Sequence, residues 1–199
     1  MMHRRLSLLR DARGMSVVEF GLIAPVFLVL LLGTLDMGHT LYMQSVLQGV
    51  MQKVSRDATL ENQSTSSLES DVRTQVQRLA AGATVTLVPR YFKNYTKAAQ
   101  ATAETFTDTN ANGRCDAGEP YVDSNFNNIW DADGGDAGQG GAKDTVVLTA
   151  SASYPRLFPI FKFIGLSPTV NLQATTVLVN QPYGDQAQYG SSPPTRNCP

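Results

Sequence analysis

The sequence predicts an α+β chain: a long N-terminal transmembrane helix continues into a small domain with a second helix, a few-stranded antiparallel sheet and an acid-rich loop insertion. Three observations carry this. Residues 15–35, MSVVEFGLIAPVFLVLLLGTL, hold a single charge, Glu19. Leu41, Met43, Val46, Leu47, Val50, Met51 and Val54 recur near helical spacing, as do Leu68, Val72, Val76 and Leu79. Three stretches rich in β-branched residues, 83–89, 144–154 and 169–179, flank a polar segment dominated by Asp, Asn and Gly. The chain therefore divides into a basic leader (1–14), a transmembrane helix (15–36), amphipathic helices with a first strand (37–100), the loop insertion (101–143), C-terminal strands (144–180) and a tail (181–199).

A helix over 15–35 rises about 30 Å, the thickness of a bilayer's hydrocarbon core. It has no polar face from Phe20 to Leu35, as a soluble core helix normally would. Arg4, Arg5, Arg10 and Arg13 precede the span and Asp36 follows it, so the positive-inside rule puts the N-terminus in the cytoplasm and residues 36–199 outside. A cleaved secretory signal fits less well. The apolar run is too long and ends in Gly33-Thr34-Leu35-Asp36-Met37, without a small-x-small site. Glu19 inside the run costs a few kcal/mol unless it is paired or near the interface. Pro25 removes one helix hydrogen bond and should kink the helix or loosen a turn.

Gly14 at −1, Met15 at +1 and Glu19 at +5, after a basic leader, resemble the processing signature of type IV pilins and pseudopilins. The string Gly14-Met15-Ser16-Val17-Val18-Glu19-Phe20, followed by Ala24-Pro25, is most similar to TadE and TadG, pseudopilins of the tight-adherence (Flp) pilus system. Asp36-Met37-Gly38 resembles the acidic-aromatic-Gly step that ends the TadE apolar segment, with Met in place of the aromatic. The resemblance covers about residues 10–60. It implies cleavage after Gly14 by a prepilin peptidase and assembly with other Tad pilus subunits in the bacterial inner membrane. It also implies pairing of Glu19 with the amino terminus of a neighbouring subunit. A buried carboxylate needs a cation, and a fresh ammonium supplies one.

One continuous helix is expected from about Ser16 to Ala58. After the polar break at 61–67, Ser66 as N-cap and Glu69 at N3 form a capping box, opening a helix over about 67–80 that Ala81-Gly82 ends. The apolar segment 155–168 (PRLFPIFKFIGLSP) reads as a buried short helix or a membrane-proximal contact. Cys115 and Cys198 are free to form one bridge in an oxidising compartment, or to remain two thiols.

Residues 108–119, DTNANGRCDAGE, match D-x-[DN]-x-[DN]-G-x5-E, the EF-hand calcium loop. Calcium takes six to eight hard oxygen ligands. Asp108, Asn110 and Asn112 supply side-chain oxygens at positions 1, 3 and 5, and Gly113 allows the sharp turn. Arg114 offers its backbone carbonyl, Asp116 stands at position 9, and Glu119 chelates at position 12. A poorer copy follows with Asp123, Asn125, Asn127 and Asp131 at positions 1, 3, 5 and 9. There Asn128 replaces the glycine and Gly134 stands where the bidentate ligand belongs. Asp133 or Asp136 substitutes for it, or Asp123 completes the first site. From 108 to 136 the acids Asp108, Asp116, Glu119, Asp123, Asp131, Asp133 and Asp136 face one base, Arg114, so the stretch repels itself without a cation. The alternative is a solvated loop with Asp, Asn and Gly as turn formers. Pro120 follows Glu119 directly, so the loops resemble helix-poor dockerin or thrombospondin repeats more than a true EF-hand. Ca2+ is expected as a structural staple, at about 10⁻⁴–10⁻³ M affinity.

The net charge of −1 gives no basic field for nucleic acid. Both histidines, His3 and His39, precede the distal domain. No Ser-His-Asp triad or histidine zinc site can be built there, and an enzyme is not expected. A minor pilin or pseudopilin is the leading expectation, and a membrane-tethered calcium-dependent adhesin the alternative.

Overall fold

The computed structural model describes residues 14–59, 64–158, 162, 165, 167–181 and 192–199. The basic leader lies outside the described residues, as do most of 159–166 and residues 182–191 of the tail. Two compact units emerge. One comprises Met43–Tyr154 with Asn171–Pro199, and the other is Met1–Tyr42 with Pro155–Val170.

Helix α1 runs Met15–Ala58 without interruption at Pro25. Its first half is apolar on all sides and exposed, Val17, Phe20, Leu22 and Leu30 included. The surrounding changes at Met43. From there Met43, Leu47, Val50, Met51, Val54 and Ala58 are buried along one stripe, at the 3–4 residue spacing of a helix face. Asp36 is buried and ion-paired with Arg156. The Arg156 backbone donates to Pro168 O (3.0 Å) and its Nε to Ser167 O (2.9 Å), so one arginine joins the two ends of the segment 155–168. Leu157, expected inside, is exposed; Phe161, Phe163, Ile164 and Leu166 lie outside the described residues.

Helix α2 spans Thr65–Gln77 and buries Leu68, Val72 and Val76. The expected capping box does not form. The helix begins two residues earlier because extended Ser64 is the N-cap, its hydroxyl accepting from Ser67 N at 3.2 Å. Ser66 Oγ turns to Ser64 Oγ (3.0 Å), and Glu69 pairs with Arg73 one turn on. The helix also stops at Gln77 rather than near 80, which leaves Leu79 exposed.

Strands β1 (Thr84–Phe92), β2 (Pro120–Val122), β3 (Asp136–Ala137), β4 (Thr145–Pro155), β5 (Thr169–Val179) and β6 (Thr195–Asn197) follow, with a short helix α3 (Tyr95–Gln100) after β1. The main sheet has the order β3-β1-β4-β5, and β1 and β4 are antiparallel from Thr84↔Ser153 to Phe92↔Thr145. Period-2 alternation puts Val85 and Leu87, then Val146, Leu148, Ala150, Ala152 and Tyr154, then Val170, Leu172 and Ala174 inside. Each fully buried Val or Leu contributes about 1.5–3 kcal/mol. The C-terminal half of α1 joins this core, and Gln44 donates to Gln173 O of β5 at 3.0 Å.

The end of the chain is not wholly a tail. β6 pairs with β2 through Tyr121↔Arg196, and Cys198 is disulfide-bonded to Cys115, 83 residues away. Three-residue strands carry too little periodicity to be read in advance. Here the pairing is flanked by the disulfide and by Cys198 N donating to Glu119 O at 2.8 Å.

Candidate functional site

The acid-rich insertion is built from two copies of one loop. In the first, Asp108 sits at the start of a tight turn. Its Oδ1 accepts from Asn112 N (3.2 Å) and its Oδ2 from Gly113 N (2.7 Å). Asn110 Oδ1 accepts from Asn112 N, and Asn112 Oδ1 from Arg114 N. The amide nitrogens of Asn110 and Asn112 donate to Asp116 Oδ2 at 2.8 and 2.5 Å. Gly113 takes φ +76°, a conformation that suits glycine.

Fifteen residues on, every bond recurs. Asp123 accepts from Asn127 N and Asn128 N, both at 3.1 Å. Asn125 Oδ1 accepts from Asn127 N, and Asn127 Oδ1 from Ile129 N. The Asn125 and Asn127 amides donate to Asp131 Oδ2 at 2.9 and 2.7 Å. Asn128, in the glycine position, has φ +67°, within the left-handed region that Asn tolerates. The loops meet at an antiparallel bridge between Phe106 and Tyr121, with Thr107 N donating to Pro120 O (2.8 Å) and Val122 N to Thr105 O (2.9 Å). Equivalent residues thus face each other, as about a local twofold axis.

Glu119 closes the first loop. Oε1 accepts from Thr109 N and Oγ1, both 2.8 Å, and Oε2 from Asp116 N at 3.0 Å. The Asp116 amide, with Thr109, holds the Glu119 carboxyl below the usual range; the Asn110 and Asn112 amides do the same for Asp116. Of the residues expected around a first ion, Asp108, Asn110, Asn112, Asp116 and Glu119 are brought together. The Arg114 side chain is exposed.

The residues that sequence reasoning missed lie at the second loop. Glu104 accepts from Ser124 N (2.6 Å) and Asp131 N (3.2 Å), the counterparts of Thr109 N and Asp116 N. Arg196 Nε binds Asp123 Oδ2 at 2.5 Å, and Arg90 bridges Asp131 Oδ1 (2.8 Å) and Asp133. Asp133 is therefore engaged by Arg90, with Nε to Oδ2 at 3.0 Å, and Asp136 receives Asn127 Nδ2 at 2.6 Å. A signal for Glu104 was present. Residues 104–112 (ETFTDTNAN) and 119–127 (EPYVDSNFN) share E-x-[FY]-x-D-x-N-x-N.

All these donors are hard oxygens, the set that suits calcium. Among the described residues, however, no three His, Cys, Asp or Glu side chains converge as a ready-made metal cluster. In each loop asparagine N–H groups face the ninth-position aspartate instead.

At the other end of the sequence, one helix among the described residues, Met15–Ala58, is long and apolar enough to cross a membrane, and its apolar window has no buried residue. Gly14 stands immediately before it, Met15 opens it, and Glu19 is exposed one turn in. Among the described residues, a helix of membrane length near the N-terminus, carried on into an α+β domain, fits one class: a single-pass anchor with a folded appendage. Within that class, residues 14–56 match the family model described as TadE-like protein, so this part of the chain is similar to that family. No curated protein and no solved structure matches the chain.

Proposed function

We propose that this protein is a minor pilin or pseudopilin of a Tad (Flp)-type pilus, anchored in the bacterial inner membrane with its domain outside the cytoplasm. The observation that carries this is the TadE-like match over 14–56, on a helix whose membrane-length half is apolar and exposed all round. In this reading a prepilin peptidase cuts between Gly14 and Met15, and Glu19 then pairs with the amino terminus of a neighbouring subunit. The role is structural rather than catalytic. The test is the intact mass and N-terminal sequence of the membrane-extracted protein, with and without the peptidase. A chain beginning at Met15 only when the peptidase is present is expected. A chain keeping its leader in both backgrounds reduces it to an ordinary anchor and favours the adhesin.

The domain is, in the same reading, stapled by Ca2+ in the first loop, through Asp108, Asn110, Asn112, the Arg114 carbonyl, Asp116 and Glu119. The side-chain oxygens of Asp108, Asn110, Asn112, Asp116 and Glu119 would hold the ion, with the Asn110 and Asn112 amides turned away from Asp116. At calcium tenfold above the dissociation constant, one such ion stabilises the fold by about 1.4 kcal/mol. A chelator should therefore lower the thermal midpoint of the full-length protein, and added calcium should restore it. A midpoint indifferent to both removes the ion from the account.

A further inference from the structure

We infer that the second loop is itself a divalent-cation site, whose bidentate carboxylate is Glu104, supplied from 19 residues before Asp123 instead of from the loop's own end, and that its oxygens draw together when an ion enters. This rests on the calcium reading of the first loop and extends it. The ligands are Asp123, Asn125, Asn127, the Ile129 carbonyl, Asp131 and Glu104.

The EF-hand template places its glutamate twelfth, where this loop has Gly134. Geometry supplies the missing group by another route. Glu119 is fixed by the amides of the second and ninth residues of loop one, Thr109 and Asp116. Glu104 is fixed by those of loop two, Ser124 and Asp131. The backbone agrees, since Glu119 N donates to Asp116 O and Glu104 N to Asp131 O, both at 3.0 Å. Each glutamate opens one repeat and closes the loop of the other. The exchange follows from the Phe106–Tyr121 bridge, which sets the two repeats antiparallel.

An independent observation points to a ligand there. The Tyr121 hydroxyl has no hydrogen-bond partner although the residue is only 1% exposed. Tyr121 stands two residues before Asp123 and opposite Arg196, whose Nε binds Asp123 Oδ2. A buried phenol without a partner is costly, and water on a bound cation would supply one. Charge counts the same way. Asp123 is fully buried, Glu104 is 3% exposed, and with Asp131, Asp133 and Asp136 they present five carboxylates to two guanidiniums, Arg90 and Arg196. Each arginine contacts the ligand aspartates through one oxygen only, leaving Asp123 Oδ1 and Asp131 Oδ2 to groups of the loop.

Trp130 offers a selective readout. It is the single tryptophan, its indole donates to Glu104 O at 2.9 Å, and Cys115 holds its position in loop one. The test uses the full-length protein in detergent micelles. Bound calcium is counted by equilibrium dialysis, and terbium luminescence is excited through Trp130. Wild type should hold two ions. Glu119→Gln should hold one and keep the tryptophan-excited terbium signal. Glu104→Gln should hold one and weaken that signal's terbium affinity by at least about tenfold. If Glu104→Gln does not fold by circular dichroism, Glu104→Asp keeps the charge, shortens the reach and must show the same direction of change. One wild-type ion, lost in Glu119→Gln and untouched in either Glu104 variant, overturns the second site and leaves the first standing. No ion in the wild type overturns both.

Discussion

Glu19 is a single carboxylate on a helix surface otherwise built of Val17, Val18, Phe20, Leu22 and Ile23, all exposed. In a bilayer such a group is tolerable only if a partner cation or the interface receives it. If the neighbour's ammonium is that cation, Glu19→Ala should still yield a chain beginning at Met15. Its recovery with pilus subunits after crosslinking should fall by about tenfold, the equivalent of one modest ion pair. Equal recovery would leave Glu19 with no part in assembly. Asp36 makes the contrast, because its partner is supplied within the chain: Arg156.

Among the elements, α1 was legible because length and period both speak for it. Twenty-one residues with one charge announce a span, and the stripe from Met43 to Val54 announces a buried face. β1, β4 and β5 were legible from alternation, with boundaries shifted by up to three residues. Strands read this way imply a core, and Leu148, at its centre, is fully buried. Leu148→Ala should cost about 3 kcal/mol in denaturant unfolding, and a loss under about 1 kcal/mol would mean the sheet is packed more loosely than described. Illegible elements share a cause, since each depends on a partner distant in sequence or on a choice between near-equals. β2 and β6 pair beside the Cys115–Cys198 bond, across a gap of more than seventy residues; Ser64 and Ser66 compete as caps, and backbone conformation decides between them. Glu104 stayed hidden because a template fixes order along the chain, whereas ligation depends only on position in space.

For the molecule as a whole, the disulfide sets how the chain's end relates to the repeated loops. Closing 83 residues limits the unfolded ensemble by about 4.5 kcal/mol on chain-entropy grounds, an upper figure. The double substitution Cys115→Ser/Cys198→Ser should lower stability by several kcal/mol and expose the β6 amides of Thr195–Asn197 to hydrogen exchange, with β1 and β4 kept protected. Loss of protection in β4 as well would make the bridge a determinant of the main sheet and not only of the loops.

The same separation imposes a timetable on biosynthesis. A ribosome adding about 5–20 residues per second delivers Cys198 roughly 4–17 s after Cys115. Both repeats, and Glu104 with them, are made before Arg196 or the second thiol exists. During that interval the carboxylates of the second loop lack one of their two guanidiniums. If the loops bind Ca2+ as proposed, a nascent domain emerging into a calcium-bearing compartment would fold around ions first and be fastened covalently afterwards, so that the oxidising machinery meets a thiol already in place.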